Sequence, residues 1–568
     1  MKPAIAKILK EALKELGLKY SEEQIVSLIE VPPILEMGDY AFPCFSLAKE
    51  MKTPPQDIAL QIREKIGTPQ KIFSDIQTAG PYVNFFVNKK TIAEKLIPVI
   101  LSENENYGKL KKEKTKKSMV EFPSPNTNKP LHLGHLRNMS IGESVSRILE
   151  FNGEKVVRAN LNNDRGIHIC KSMTAYEKYG KNKNPGKEIK SDHFVGDFYV
   201  MFNSHVKKNE KLEIRSHEML RFWEKGDKKI HALWEKMNKW ALDGFNETYG
   251  KFGIKHDVEF FESKIYKKGK EIVEQGVKDK IFERKKDGSV SINLKKEKLG
   301  EKILLRMDGT SVYITQDLYL AKLKFDKYKI AKSIYVVGNE QDYHFDVLFT
   351  ILKKLGFEKE MYHLSYGEVF LPGWKKIKSR EGTKGITIDE VFSKVEDLVK
   401  KELKKREKLS KTELEKRSRI IALAAIKYMI LQVDMKRNMI FDPQASIAFE
   451  GNTGPYLLYS YARASSILRK VKKYSKKIQI NNLEKKEEEL IKKLEDFSGV
   501  VLKSYENLNP SLIARYSYEL AQIFNEFYHE CPVLDSENKD FRLNLVEAFR
   551  IVLRNSLNLL GIDILEKM

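Results

Sequence analysis

The spacing of apolar residues changes from segment to segment along this chain, and the changes mark out its elements. Ile5, Ile8, Leu9, Leu13 and Leu16 recur every three or four positions, which predicts an amphipathic opening helix ending near Gly17. Residues 38–42 predict a turn, 45–48 and 54–59 two helices, and 79–88 alternates as a strand does. Val120-Glu121-Phe122 begins another strand that breaks at Pro123 and Pro125. Regular structure returns at Gly134, flanked by His132 and His135, and a helix follows with Leu136, Met139, Val145, Ile148 and Leu149 at helical spacing. Gly153 suits its left-handed stop, and residues 155–160 predict the next strand. Strand, helix and strand make a βαβ unit. Its handedness places the loop before the helix at the carboxyl edge of a parallel sheet, where open α/β sheets bind ligands.

Further along, residues 172 to about 300 show helical patterns rich in Lys, with Trp223 and Trp234 at amphipathic spacing that suits a core. Residues 308–317 combine a turn signal and a short β-rich run with Asp317 in the first turn of a following helix. Ser333–Gly338 has the unbroken apolar character of a buried parallel strand, Asn339–His344 is the loop at its carboxyl end, and Gly367–Leu371 predicts one more strand. A glycine-bounded basic loop spans 372–385, after which Thr387-Ile-Asp-Glu390 predicts a capping box. Residues 400–417 alternate Lys and Arg with Glu, as a solvated helix does, and 419–433 are apolar enough to be buried.

At 568 residues the chain exceeds what one core organises, so several domains are expected. Lys+Arg 102 against Asp+Glu 79 leaves +23, which favours a polyanionic partner or, equally, reflects a lysine-rich composition. Cys44, Cys170 and Cys531 are widely spaced and follow no metal pattern, which points to a reducing compartment without a disulfide framework. Charges interrupt every apolar run at the amino terminus within a few residues, so neither a signal peptide nor a membrane span is expected. The stretch His132-Leu133-Gly134-His135 at a helix start has its own chemistry. Unpaired N–H groups and the positive dipole end suit phosphate, Gly134 leaves room for a flat base, and two imidazoles on one side of the first turn can donate to a triphosphate as charge builds on it. A polar cap with incidental histidines accounts for the four residues as well, whereas zinc lacks a third ligand at suitable spacing.

The longer run Glu121-Phe-Pro-Ser-Pro-Asn126 and Lys129-Pro-Leu-His132-Leu-Gly-His135-Leu-Arg137 resembles the ATP-binding signature of class I aminoacyl-tRNA synthetases, and specifically that of the arginyl-tRNA synthetases. Similar stretches recur at Phe449–Arg463, Phe524–Tyr528, Cys531–Leu534 and the carboxyl end. The resemblance implies an α/β multidomain fold: an α+β amino-terminal module (1–110), a Rossmann-like parallel-sheet catalytic domain (118–385) with a connecting insertion (about 172–300), a helical junction (386–445) and an all-α carboxyl-terminal helical bundle (446–568). It implies ATP-dependent ligation of L-arginine to tRNA(Arg) through an adenylate, with His132, Gly134, His135, Lys376, Ser379 and Arg380 toward ATP. Lys376 matches the first lysine of the second class I signature. Glu381 stands where many relatives have the second, and either Lys129 or Arg380 would substitute for it. Glu121, Asn126, Tyr313, Asp317 and Gln341 are implied for arginine, although Asp317 taken alone also suits a helix N-cap. For tRNA the resemblance implies the strand face Tyr82, Asn84 and Phe86, with the alternative that Tyr82 and Phe86 are core and Phe85 points outward. Tyr456, Tyr459 and Arg463 share a helix face that suits either base stacking or helix packing. Mg2+ is expected only as the ATP complex, with no protein metal site. A cytoplasmic monomer is expected.

Overall fold

A computed structural model describes residues 1–110, 115–180, 183–207, 209–373 and 386–568. The chain divides into two compact units: Met1–Asn104 with Ile467–Asp496 and Ile523–Ile551, and Glu105–Ser466 with Phe497–Gln522 and Val552–Met568.

In the first unit the opening helix is Lys2–Glu15, and it buries Ile5, Leu9 and Leu13 as their spacing requires. Strands β1 (Tyr40–Pro43), β2 (Phe73–Ala79) and β3 (Tyr82–Val87) form an antiparallel sheet in the order β1-β3-β2. Residues 40–42 were expected in a turn and are instead in β1; the Gly38-Asp39 turn signal lies just upstream, and Tyr40, Ala41 and Phe42 are all buried. Val83, Phe85 and Val87 enter the core, which excludes an outward Phe85 and leaves Tyr82, Asn84 and Phe86 on the opposite face. Tyr82 and Phe86 are half-buried there, and Asn84 is buried. The carboxyl-terminal helices belonging to this unit close on it directly, with Lys492 Nζ donating to the Tyr40 hydroxyl at 2.6 Å.

The second unit is built on β4 (Lys117–Glu121), β5 (Lys155–Asn162), β6 (Val258–Phe261), β10 (Lys332–Gly338) and β11 (Glu360–Tyr366), all parallel, in the order β11-β10-β4-β5-β6. Beside it, β7 (Glu283–Arg284), β8 (Val290–Leu294) and β9 (Gly300–Leu305) make a small antiparallel sheet. The parallel sheet starts at its centre, runs outward through β5 and β6, then returns to the other side of β4 as β10. That reversal opens a crevice between the carboxyl ends of β4 and β10, the place where such sheets take ligands.

Three expectations change here. Residues 172–300 are not all helical, since β6 is the sheet's edge strand and β7 to β9 follow; Val258-Glu-Phe-Phe261 is too short to announce itself beside the helix Lys228–Phe252. The β-rich run before Asp317 is the start of the helix Tyr313–Tyr328, so Asp317 is its fifth residue and Val312 its cap. The charged run 400–417 is two helices, Ile388–Arg406 and Lys411–Leu431, because Ser410 caps the second by accepting from Glu413 N at 3.3 Å. The Thr387 capping box forms as expected.

The helix Leu133–Phe151 carries the predicted apolar stripe and is buried almost all round. Ser140 and Ser146 therefore return their hydroxyls to the carbonyls one turn back, at 2.8 and 2.7 Å. Gly142 lets Phe122 lie against the helix; a Cβ there would meet the ring at 2.4 Å. Met119, Ala159, Leu161 and Phe260 form the core on the sheet's other side, each large side chain contributing about 1.5–3 kcal/mol. Among the described residues no helix is long and apolar enough to cross a membrane.

Candidate active site

The crevice at the switch point is a cleft of about 1140 Å³. Glu121 ends β4 at its base; Asn126, Lys129, His132, Gly134 and His135 follow along one wall; Tyr313, Asp317 and Gln341 stand along another. Nine expected residues from three separate stretches thus face one space.

His132 is the N-cap of the helix Leu133–Phe151, and its Nδ1 accepts from Gly134 N at 3.1 Å. His135 Nδ1 accepts from His132 N at 3.1 Å, so the pair forms a capping box made of imidazoles. Both rings must be neutral with the proton on Nε2, because an Nδ1 that accepts carries none. Burial favours that state, pushing His132 down to about 3 and His135 well below its usual range, with nearby Lys129 adding to both. Two of the N–H groups expected to meet phosphate are consequently already used, and the Nε2–H donors replace them. Gly134 has a role not anticipated: a Cβ there would stand 3.0 Å from the His132 ring, so the glycine makes room for the imidazole that caps its own helix. Lys129 is lowered by burial.

Two deeper contacts hold these walls in place. Arg137, fully buried, donates to the carbonyls of Gly367, Glu368, Asp434 and Met435 at 2.8, 3.4, 3.1 and 3.1 Å. Asn138 donates to Val336 O of β10 at 2.6 Å. His132 also bridges Thr387 through the backbone, so the histidine loop and the start of Ile388–Arg406 are joined.

The other end of the cleft is charged. Tyr313 and Asp317 stand one turn apart on the same helix face. His344 Nε2 lies 2.7 Å from Asp317 Oδ2, and its ring centroid is 5.7 Å from that of Tyr313. Glu121 is buried and ion-paired at 2.7 Å with Lys324. One hydroxyl and two carboxylates therefore surround a space that suits a planar cation.

Residues 96–443 match the family model for tRNA synthetases class I (R), catalytic domain; residues 3–87 match the arginyl tRNA synthetase N terminal domain, and residues 457–568 the DALR anticodon binding domain. The chain is 45% identical to the arginine–tRNA ligase of Treponema denticola over 560 residues, 95% of this chain and 94% of that one. With the enzyme of the same name from Bacteroides thetaiotaomicron the identity is 42% over 98% of both chains. The chain belongs to the arginyl-tRNA synthetase family. Its fold follows that of the Thermus thermophilus arginyl-tRNA synthetase with a TM-score of 0.84 at 26% identity over 100% of both chains. The Plasmodium falciparum arginyl-tRNA synthetase shares the fold at a TM-score of 0.80 and 22% identity, covering 100% of this chain and 98% of that one.

Within this arginyl-tRNA synthetase fold, Arg165 takes a place where the family resemblance leads one to expect an aromatic residue. Its guanidinium lies 3.9 Å from the Tyr266 ring centroid and 5.3 Å from that of Trp223, and it pairs with Glu224 at 2.8 Å. The two rings are themselves 5.7 Å apart, so the flat cation joins an aromatic cluster and lies over the face of Tyr266. Trp223 is buried as expected, and Trp234 is half-buried beside it. On the helix Gly454–Arg469, Arg463 donates to the Tyr459 hydroxyl at 3.0 Å and lies over its ring, while Tyr456 packs on Tyr518 with ring centroids 5.8 Å apart. All three are half-buried, as helix packing alone would leave them. Lys376, Ser379 and Arg380 lie outside the described residues. Spacing did not single out Lys324, His344 or Arg137. Lys324 stands seven residues after Asp317 on one helix, the separation that returns to the same face.

Proposed function

We propose that this cleft activates L-arginine with ATP and passes it to tRNA(Arg). The chain is an arginine–tRNA ligase of the class I synthetases by family. ATP enters as its Mg2+ complex, and the arginine carboxylate attacks the α-phosphate, giving arginyl-adenylate and pyrophosphate. A ribose hydroxyl of the terminal adenosine of tRNA(Arg) then attacks the activated carbonyl and AMP leaves. No side chain need act as a nucleophile, so the protein's part is positioning and stabilisation of developing charge.

The observation that carries the assignment is the polarity of the cleft. Neutral Nε2–H groups of His132 and His135 stand at one end, where they can donate to triphosphate oxygens. Lys129 lies beside them, and Lys376, Ser379 and Arg380 complete the nucleotide end in this reading. Asp317, Tyr313 and Glu121 receive the guanidinium, with Asn126 and Gln341 on the amino-acid end. A resident metal is not part of the scheme: Asp192, His193 and Asp389 come together, but Lys190 and Lys251 already hold Asp389 at 2.8 and 3.0 Å. Tyr82, Asn84 and Phe86 on one unit and Tyr456, Tyr459 and Arg463 on the other are the proposed tRNA contacts. The working divisions are 1–110, 118–385, 386–445 and 446–568, in a cytoplasmic monomer.

Aminoacylation of total tRNA with each of the twenty amino acids tests the reading. Arginine alone should be attached, and a preference for any other amino acid refutes it. Pyrophosphate exchange should require tRNA; full exchange without it removes that dependence.

A further inference from the structure

Glu121 and Tyr335 are partners in the register between β4 and β10, so their side chains stand together at the switch point, and both line the cleft. Lys324 reaches them from behind, off the helix that also carries Tyr313 and Asp317. Its side chain is 0% exposed, its Nζ is 2.7 Å from Glu121 Oε2, and the same Nζ lies 3.9 Å from the Tyr335 ring centroid. Lysine is rarely buried to this degree, because the ammonium gives up its hydration. A hydrophobic residue at this depth would be the simpler way to fill a core, and a buried pair of this kind often adds no stability over one. The arrangement is explained if the charge serves Glu121.

We infer that Lys324 is a positioning residue for arginine recognition: it supplies the permanent counter-charge for Glu121 and draws one of its oxygens toward the helix, leaving the other to face the substrate. The inference rests on the assignment of Glu121 to arginine. Among the described residues, the titratable groups that interact with Glu121 are Lys324 and Tyr313 on one helix and Tyr335 from β10; Lys324 is the only cation of the three. Burial is the largest single influence on the Lys324 ammonium and lowers it, but Glu121, Tyr335 and Asp317 together turn the net direction upward. The two charges sustain each other. In a variant without Lys324, Glu121 would be a buried carboxylate with no opposing charge, a setting that favours the protonated form, and arginine would have to displace that proton to bind.

The test is the arginine KM of purified full-length enzyme, measured by aminoacylation between pH 6 and 8, for wild type, Lys324→Met, Lys324→Gln and Lys324→Arg. The neutral variants should raise the arginine KM at least tenfold at pH 6.5, and the increase should shrink as the medium becomes alkaline, by at most about tenfold per pH unit. Their ATP KM should not acquire that slope. Lys324→Arg keeps the charge and should keep the wild-type profile. A folded neutral variant with the wild-type profile overturns the inference, as does a new pH slope in Lys324→Arg, which holds even if the neutral variants do not fold. Glu121→Gln separates the two levels. An arginine KM unmoved by Glu121→Gln removes the assignment of Glu121 itself, whereas a raised KM there alongside a flat Lys324→Met profile removes only the role of Lys324.

Discussion

The two ends of the cleft solve opposite electrostatic problems. At the histidine end the two imidazoles are half-buried, bonded to backbone N–H groups and held neutral, with Lys129 the nearby cation. At the other end the carboxylates are ionisable and each has a partner, Lys324 for Glu121 and His344 for Asp317. A nucleotide changes its charge distribution during the reaction, so donors that are fixed and uncharged can favour the transition state over the ground state. A guanidinium carries the same charge throughout, and what it needs is a standing counter-charge with defined geometry. Rate should therefore be encoded at one end and selection at the other.

That division can be broken by substitution. His135→Ala should cost the most, roughly 10²- to 10³-fold in kcat as one oxyanion-type donor is lost, with the arginine KM within about threefold of wild type. A large arginine KM effect from this variant would merge the two ends. Asp317→Asn should raise the arginine KM about 100-fold, as expected for about 3 kcal/mol from a charge-assisted contact, and leave the ATP KM alone. Parallel increases in both constants would deny the division. His344→Ala removes the partner of Asp317 and should raise the arginine KM about tenfold, with His344→Gln recovering part of it. Combined with Asp317→Asn it should add little, since the contact it supports is already gone.

The smallest expected signal is an absence of change. His132 and His135, labelled with ¹⁵N, should remain in the Nε2–H neutral form from pH 8 to 5, and a transition near 6.5 in either would undo the neutral-donor picture. The linked effect on folding has a definite sign. The folded His132 value is about 3 and the unfolded value is the ordinary 6.5, so the unfolded chain binds more protons between them. The contribution is whole above pH 6.5 and is lost as the pH falls toward 3.

Much of this was legible in the chain itself, for identifiable reasons. The helix after His135 and the strand beginning at Lys155 were evident because their apolar residues keep a strict period, and Gly153 marked a left-handed stop that the structure bears out at φ +84°. The histidines stood out at a helix start, whereas Glu121, Asn126, Tyr313, Asp317 and Gln341 were named through the family resemblance, and all of them line the one cleft. Short elements were lost. Val258–Phe261 and Tyr40–Pro43 are strands through their neighbours' hydrogen bonds, which no local pattern announces. Ser410 was hidden in a run of charges, although Glu413 three residues later completes the kind of signal that opens a helix. Lys324 was invisible because a lysine in a charged helix reads as solvated; only the register of Glu121 against Tyr335 reveals what it faces. Lys376, Ser379 and Arg380 lie outside the described residues.

The return of the sheet past its first strand has a consequence for how the protein comes into being. Glu121 and Gln341 stand on opposite sides of one crevice but are separated by most of the catalytic region's length, so no nascent chain shorter than Gln341 contains a complete amino-acid end. During synthesis the histidine loop would emerge early and the carboxylate at 121 would wait, without Lys324, while some two hundred further residues are translated. Until then the growing polypeptide carries the histidine loop without Thr387, which it later meets, and without the full set of groups that would choose an amino acid.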